Sequence, residues 1–221
     1  MKKSLVSLIT VFAAMSSASA HAAIVITEVA PWGSGNAPYA TDWFELTNTG
    51  VSAINISGWQ MDDNSNGTAK VNLTGISSIA AGESVIFTEN AATTSFLNTW
   101  FGGAAPVGLQ IGNYTGSGVG LSTTADAVNI YNAGGVLQAN VTFGVSDATV
   151  PYQTFDNAAG LNNTAISQLS VVGVNGAFLA SNDATEIGSP GTVTAVPEPA
   201  NVAMMLAGIG VIGTSIRMRR R

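Results

Sequence analysis

At 221 residues the chain is long enough for one domain with a sizeable core. It has no cysteine, and its only histidine, His21, lies at or before the end of an export signal, which excludes thiol chemistry, disulfide frameworks, catalytic triads and imidazole-rich zinc sites. Between Ile24 and Val196 twelve carboxylates stand against one base, Lys70, a net charge of −11; such a field repels phosphate backbones and anionic lipid, argues against nucleic acid as a partner, permits cations and neutral glycans, and also serves plain solubility.

Residues 1–22 read as a secretory signal peptide: Lys2 and Lys3, an apolar run from Leu5 to Ala14, then small residues. Ala18-Ser19-Ala20 and Ala20-His21-Ala22 are equally acceptable cleavage sequences. The body that follows alternates short β-prone runs with turn residues, the pattern of an antiparallel sandwich or barrel. Strands are expected at Ile24–Ala30, Trp43–Asn48, Ala53–Met61, Val71–Leu73, Ser84–Glu89, Ala127–Tyr131, Val136–Phe143 and Ile166–Val172. In the second of these, Phe44 and Leu46 share one face and Glu45 and Thr47 the other, as in a half-buried strand. One helix is expected over Thr94–Phe101, where Phe96 and Trp100 are spaced i,i+4 and Gly102-Gly103 can end it; it would cap the sandwich.

Three ordered stretches, Ile26-Thr27-Glu28-Val29, Asp42 through Gly50 and Ile56-Ser57-Gly58-Trp59, resemble the lamin-tail domain. Ala80 to Phe87, the aspartate-led run Asp126 to Tyr131 and the turn Ser189-Pro190-Gly191 continue the resemblance, which covers most of Ile24 to Gly191. Asn90 to Gly120 is longer and looser than the family pattern. The resemblance implies an all-β, immunoglobulin-like antiparallel β-sandwich over 24–193, used as a binding or structural module.

Asp62, Asn64 and Asn66, with Gly67 in the sixth position, open like a calcium loop. The glutamate expected twelfth is replaced by Leu73 and Lys70 sits inside the loop, so an acidic hairpin loop held by Asx-turns is the alternative. A carboxylate pair such as Glu28 with Glu45 or Asp42 has the chemistry of a carbohydrate-active hydrolase; as family-typical positions, the two glutamates would instead hold turns and strand ends. Trp32, Tyr39 and Trp43 around a Gly/Pro/Asn loop offer faces for stacking on sugar rings, against core packing as the other role, particularly for Trp43 and Trp59.

Residues 196–221 form a tail of three parts. Pro197-Glu198-Pro199 is stiff and acidic, Ala200 to Ile216 carries no charge, and Arg217, Arg219, Arg220 and Arg221 close the chain. The two prolines delay any helix until after Pro199. Seventeen apolar-span residues make roughly 25 Å of helix, the lower limit for a transmembrane segment, with the arginines on the cytoplasmic side. The order resembles the PEP-CTERM sorting signal of Gram-negative bacteria, which implies recognition and processing by an exosortase-type membrane enzyme, transient membrane residence, and delivery to the cell surface or extracellular matrix. The expected whole is a secreted, non-enzymatic surface or matrix protein with a structural or adhesive module, extracellular polysaccharide being a candidate partner; the rival is the hydrolase. No cofactor is expected beyond calcium at Asp62, Asn64 and Asn66.

Overall fold

The computed structural model describes residues 24–64, 70–116, 119–146, 148–157 and 164–192, all within the compact unit His21–Pro197. Residues 65–69, with Asn66, and the tail with Pro197, Glu198, Pro199, the 200–216 span and the arginines lie outside the described residues, as does the export signal. Among the described residues no helix is long and apolar enough to cross a membrane.

Ten strands form one hydrogen-bonded succession that folds over on itself. One half carries β1 (Ile24–Ala30), β2 (Trp43–Asn48), β7 (Ser84–Thr88), β8 (Gln110–Tyr114) and the short β12 (Phe155–Asp156). The other carries β4 (Gln60–Asp62), β5 (Val71–Thr74), β9 (Asp126–Tyr131), β10 (Leu137–Phe143) and β13 (Ala165–Ile166). The halves join where β5 pairs with β8 on one side and β4 on the other. Between them lies the main core, with Ile26, Val29, Phe44, Leu46, Val85 and Phe87 from the first half facing Met61, Leu73, Val128, Ile130, Val141 and Phe143 from the second. The expected alternation in β2 places Phe44 and Leu46 in this core.

The expected half-exposed face of β2 is also covered, so all six of its residues are buried. Three elements lie over that outer face: α2 (Thr93–Phe101), β14 (Phe178–Ala180) and β15 (Asp183–Gly188), the last pairing with β14 and β11 (Tyr152–Gln153). Phe96 and Trp100 of α2 pack with Trp43, Ile86, Trp32, Tyr39 and Ala180 into a second core. The helix ends as its sequence indicates: Gly102 is left-handed at φ 61°, and the Gly102 and Gly103 N–H groups donate to Asn98 and Leu97 carbonyls at 3.0 and 3.2 Å.

Four expectations change. The sandwich is not purely antiparallel, because β7–β8, β10–β13 and β11–β15 are parallel pairs. A parallel pair needs a crossover connection, and the loose stretch after Thr88 supplies one, running through α2 to β8. The strand expected over Ala53–Met61 divides into β3 (Ile54–Asn55), which pairs with β6 (Ser78–Ile79), and β4. Between them Asn55 Oδ1 accepts the Ser57 N–H at 2.8 Å, and Gly58, at φ 75°, completes a turn. The run Ile166–Val172 keeps only β13 and a bridge from Leu169 to Phe155, because Val171 to Ala177 turn back into β14. A single-turn helix, α1 (Gly33–Asn36), adds to the one helix expected.

Candidate functional site

A bulge in β1 builds the most unusual chemistry in the domain. Ile26 pairs with Leu46 and Glu28 with Glu45, so Thr27 and Glu28 together oppose one residue of β2 and the register shifts between them. The shift returns Val29 to the main core and leaves Thr27 and Glu28 under the outer layer. On the other flank Glu28 pairs with Asp156 of β12. Three carboxylates thus occupy neighbouring strands at one level, all buried: Glu28 is 0%, Glu45 1% and Asp156 3% exposed.

Hydroxyl and amide donors surround them. Glu28 accepts from the Thr154 hydroxyl, from Ser189 N–H at 2.7 Å and from Ser189 Oγ at 3.2 Å. Glu45 accepts from Thr27 Oγ1 and from Gly191 N–H, both at 2.6 Å. Asp156 accepts from Asn175 Nδ2 at 2.8 Å. The sheet's first two strands are therefore fastened to the turn Ser189-Pro190-Gly191. Gly188, just before it, has no room for a side chain, since a Cβ there would lie 2.7 Å from Glu28 Oε1 and 2.9 Å from the Trp100 ring.

Burial dominates the electrostatics. Desolvation raises Glu28 well above the usual carboxyl range, and the charge of Glu45 adds to it, while the bonds from Thr154 and Ser189 act in the opposite sense. Glu45 is pushed up to about 7, again chiefly by desolvation, with its Thr27 and Gly191 bonds lowering it. Glu186 on β15 is pushed up to about 8 by the same cause. It accepts from Tyr39 Oη at 2.9 Å, and Tyr39 Oη accepts from Trp43 Nε1 at 3.1 Å, a chain running through the second core. The sole base of the body, Lys70, lies elsewhere, with Nζ 4.3 Å from the centre of the Tyr131 ring.

The carboxylates suspected of hydrolytic chemistry are thus engaged in closing the fold. Glu28 and Glu45 are brought together, but beneath a layer of structure, and Asp42 sits apart, accepting the Ser34 N–H at 2.8 Å, with burial raising it to about 6. The aromatic platform is corrected outright: Trp32, Tyr39 and Trp43 are 1%, 4% and 0% exposed. Trp32 stacks on Tyr152 at 5.4 Å and donates to the Gln153 carbonyl at 2.9 Å; Trp43 meets Phe96 and Trp100 edge-on. The helix α2 covers Trp43 and the late strand β11 covers Trp32, partners distant in sequence, which is why the local sequence suggested exposure. Trp59 is buried as well.

Of the calcium candidates, Asp62 is buried and Asn64 exposed. Asp62 Oδ1 accepts the Asp63 N–H at 3.0 Å, the Asn64 N–H donates to Asp126 Oδ1 at 2.8 Å, and Asp126 Oδ2 accepts from Ser122 N–H at 2.7 Å. Asp126 on β9 therefore anchors the loop, a role its sequence position did not announce. Among the described residues no group of three or more acidic, histidine or cysteine side chains is placed to hold a metal ion.

The site defines a class before it defines a family: an all-β module closed by buried acids. The chain belongs to the Lamin Tail Domain family, whose model matches residues 17–145, more than half its length. β11, β14, β15 and the turn at Ser189 lie beyond that match. Residues 195–221 match the PEP-CTERM protein-sorting motif, which marks proteins exported across the inner membrane to the cell surface or extracellular space and is recognised by exosortase. Both are non-catalytic families. No curated protein matches the chain.

Proposed function

We propose that this protein is a non-enzymatic surface or extracellular-matrix protein whose sandwich is a structural or adhesive module, released from the inner membrane when the sorting tail is processed. The observation that carries this reading is the use of Glu28 and Glu45: both are buried and spend their oxygens on Thr154, Ser189, Thr27 and Gly191, bonds that close the domain. A glycosidase needs its acid pair beside a sugar-binding cleft. The burial of Trp32, Tyr39 and Trp43 removes the stacking platform a hydrolase cleft would use, and it leaves polysaccharide binding to rest on other surfaces of the domain. In the tail, Ala200 to Ile216 serves as a short transmembrane helix with the arginines inside, and Pro197-Glu198-Pro199 marks the region at which the exosortase acts. The partner at the destination is an extracellular polysaccharide, a neutral polymer suiting a body of net charge −11.

Mass spectrometry of the mature protein from native envelope and matrix fractions tests the reading through both termini. The expected product begins at His21 or Ala23, lacks Arg217 to Arg221 and cosediments with matrix polysaccharide. A surface form retaining the arginines would replace the processed module by a permanently anchored one, and glycan hydrolysis abolished by Glu45→Gln in a folded variant would restore the enzyme.

A further inference from the structure

The last described residues, Gly191 and Thr192, lie against two loops. A Cβ on Gly191 would lie 2.9 Å from Leu109 Cδ1, and one on Gly176 would lie 2.3 Å from Thr192 Cγ2. The loop before Leu109 presents Val107, which is fully exposed, and the loop before Gly176 presents Val171, Val172 and Val174, 51%, 50% and 43% exposed. Neither Ala104–Leu109 nor Val171–Ala177 contains a charged residue, in a body whose twelve carboxylates otherwise repel anionic lipid. Solitary exposed valines need no explanation; two uncharged apolar loops bordering the point where the chain passes into its sorting tail do.

We infer that these loops, with Val107 on one and Val171, Val172 and Val174 on the other, rest on the lipid surface of the inner membrane while the tail is still attached. The inference rests on the export-and-sorting reading above. From Thr192 to Ala200 the chain can extend at most about 30 Å, so an inserted tail holds the Gly191 side of the domain close to the bilayer. Tethering by the inserted tail converts a weak partition of four valines into an intramolecular event at high effective concentration. A second copy of the chain is a poorer occupant, because two small loops fall far short of the roughly 1,200 Å² that a stable protein interface buries. The contact positions the segment around Pro197 for the membrane enzyme and is lost on processing.

The absence of cysteine makes the test direct. Full-length V107C, V172C and T115C variants, each carrying an environment-sensitive fluorophore, are reconstituted into phosphatidylethanolamine/phosphatidylglycerol vesicles. Thr115 is exposed at the opposite end of β8 from Leu109 and serves as the control. The expected result is blue-shifted emission and several-fold weaker quenching by aqueous iodide at 107 and 172, with 115 unchanged. Vesicle-bound protein with all three labels equally quenched would overturn this inference and leave the sorting reading standing; protein that fails to float with the vesicles would overturn both. Protection at 172 that appears without lipid and grows with protein concentration would assign the loops to a second copy and overturn the lipid contact.

Discussion

The buried acids of the closing site predict a domain that loses stability as pH rises through neutrality. Glu45 titrates near 7 in the folded domain and Glu186 near 8, against an unfolded value of about 4.5 for each. Below pH 4.5 both states hold these protons and the contribution is fully present. As pH rises past the unfolded value, the unfolded chain releases protons that the folded chain keeps, so unfolding becomes easier by about 1.4 kcal/mol per pH unit for each such group. For Glu45 the loss accumulates between 4.5 and about 7 and amounts to roughly 3 kcal/mol. Glu186 continues the fall to about 8. At about 2–4 °C per kcal/mol for a domain of this size, the melting temperature should drop by roughly 10 °C or more between pH 5 and pH 8. Thermal and urea unfolding across that interval measure it, and Glu45→Gln should reduce the slope between 5 and 7, since the amide cannot ionise while Glu186 still loses its proton in the unfolded chain over that range. Stability that is level or rises over this interval would show that the carboxylates are comfortably ionised in the folded state and that burial has been misjudged.

Three further outcomes follow from the same structure. Gly188→Ala should destabilise by about 1–3 kcal/mol, because its methyl would meet the Glu28 carboxylate and the Trp100 ring, and a urea midpoint equal to that of the parent would refute the close packing. If the loop at Asp62, Asn64 and Asn66 takes calcium, millimolar calcium raises the melting temperature and Asp62→Ala abolishes the rise; an unchanged curve leaves the Asx-turn loop. Replacing Pro197 and Pro199 with alanine should let a helix extend backward from Ala200 and leave unprocessed protein in the inner membrane, seen as a larger band in inner-membrane fractions, whereas normal release would dismiss the role of the prolines.

Much of the inner sandwich was legible because its strands alternate. Phe44 and Leu46 against Glu45 and Thr47 gave β2 its faces, and Phe96, Trp100 and Gly102 gave α2 its packing side and its end. β8 of the inner sandwich and the outer strands β14 and β15 were not legible. β8 reads Gln-Ile-Gly-Asn-Tyr, and its Gly112 is required by packing, since a Cβ there would lie 2.7 Å from the Phe87 ring; glycine in a strand weakens the local signal. β15 is polar along much of its length and is held by pairing with β14 and β11 rather than by an apolar run. The two glutamates were recognisable as family positions that hold turns. Which turn they hold depends on contacts across 146 and 161 residues, beyond any periodicity.

The fastening of Glu28 to Ser189 also sets a schedule. In an exported chain Glu28 leaves the cytoplasm early and Ser189 late, with 161 positions between them. The early strands can pair among themselves, yet the carboxylates they carry wait, solvated and charged, until the final turn arrives. Ser189 is followed within ten residues by Pro197-Glu198-Pro199, so the last bonds of the domain cannot form before the stretch leading into the sorting signal has emerged. Completion of the fold and presentation of the signal thus depend on the same late stretch of chain, and a chain interrupted before Ser189 lacks both its closing bonds and its address.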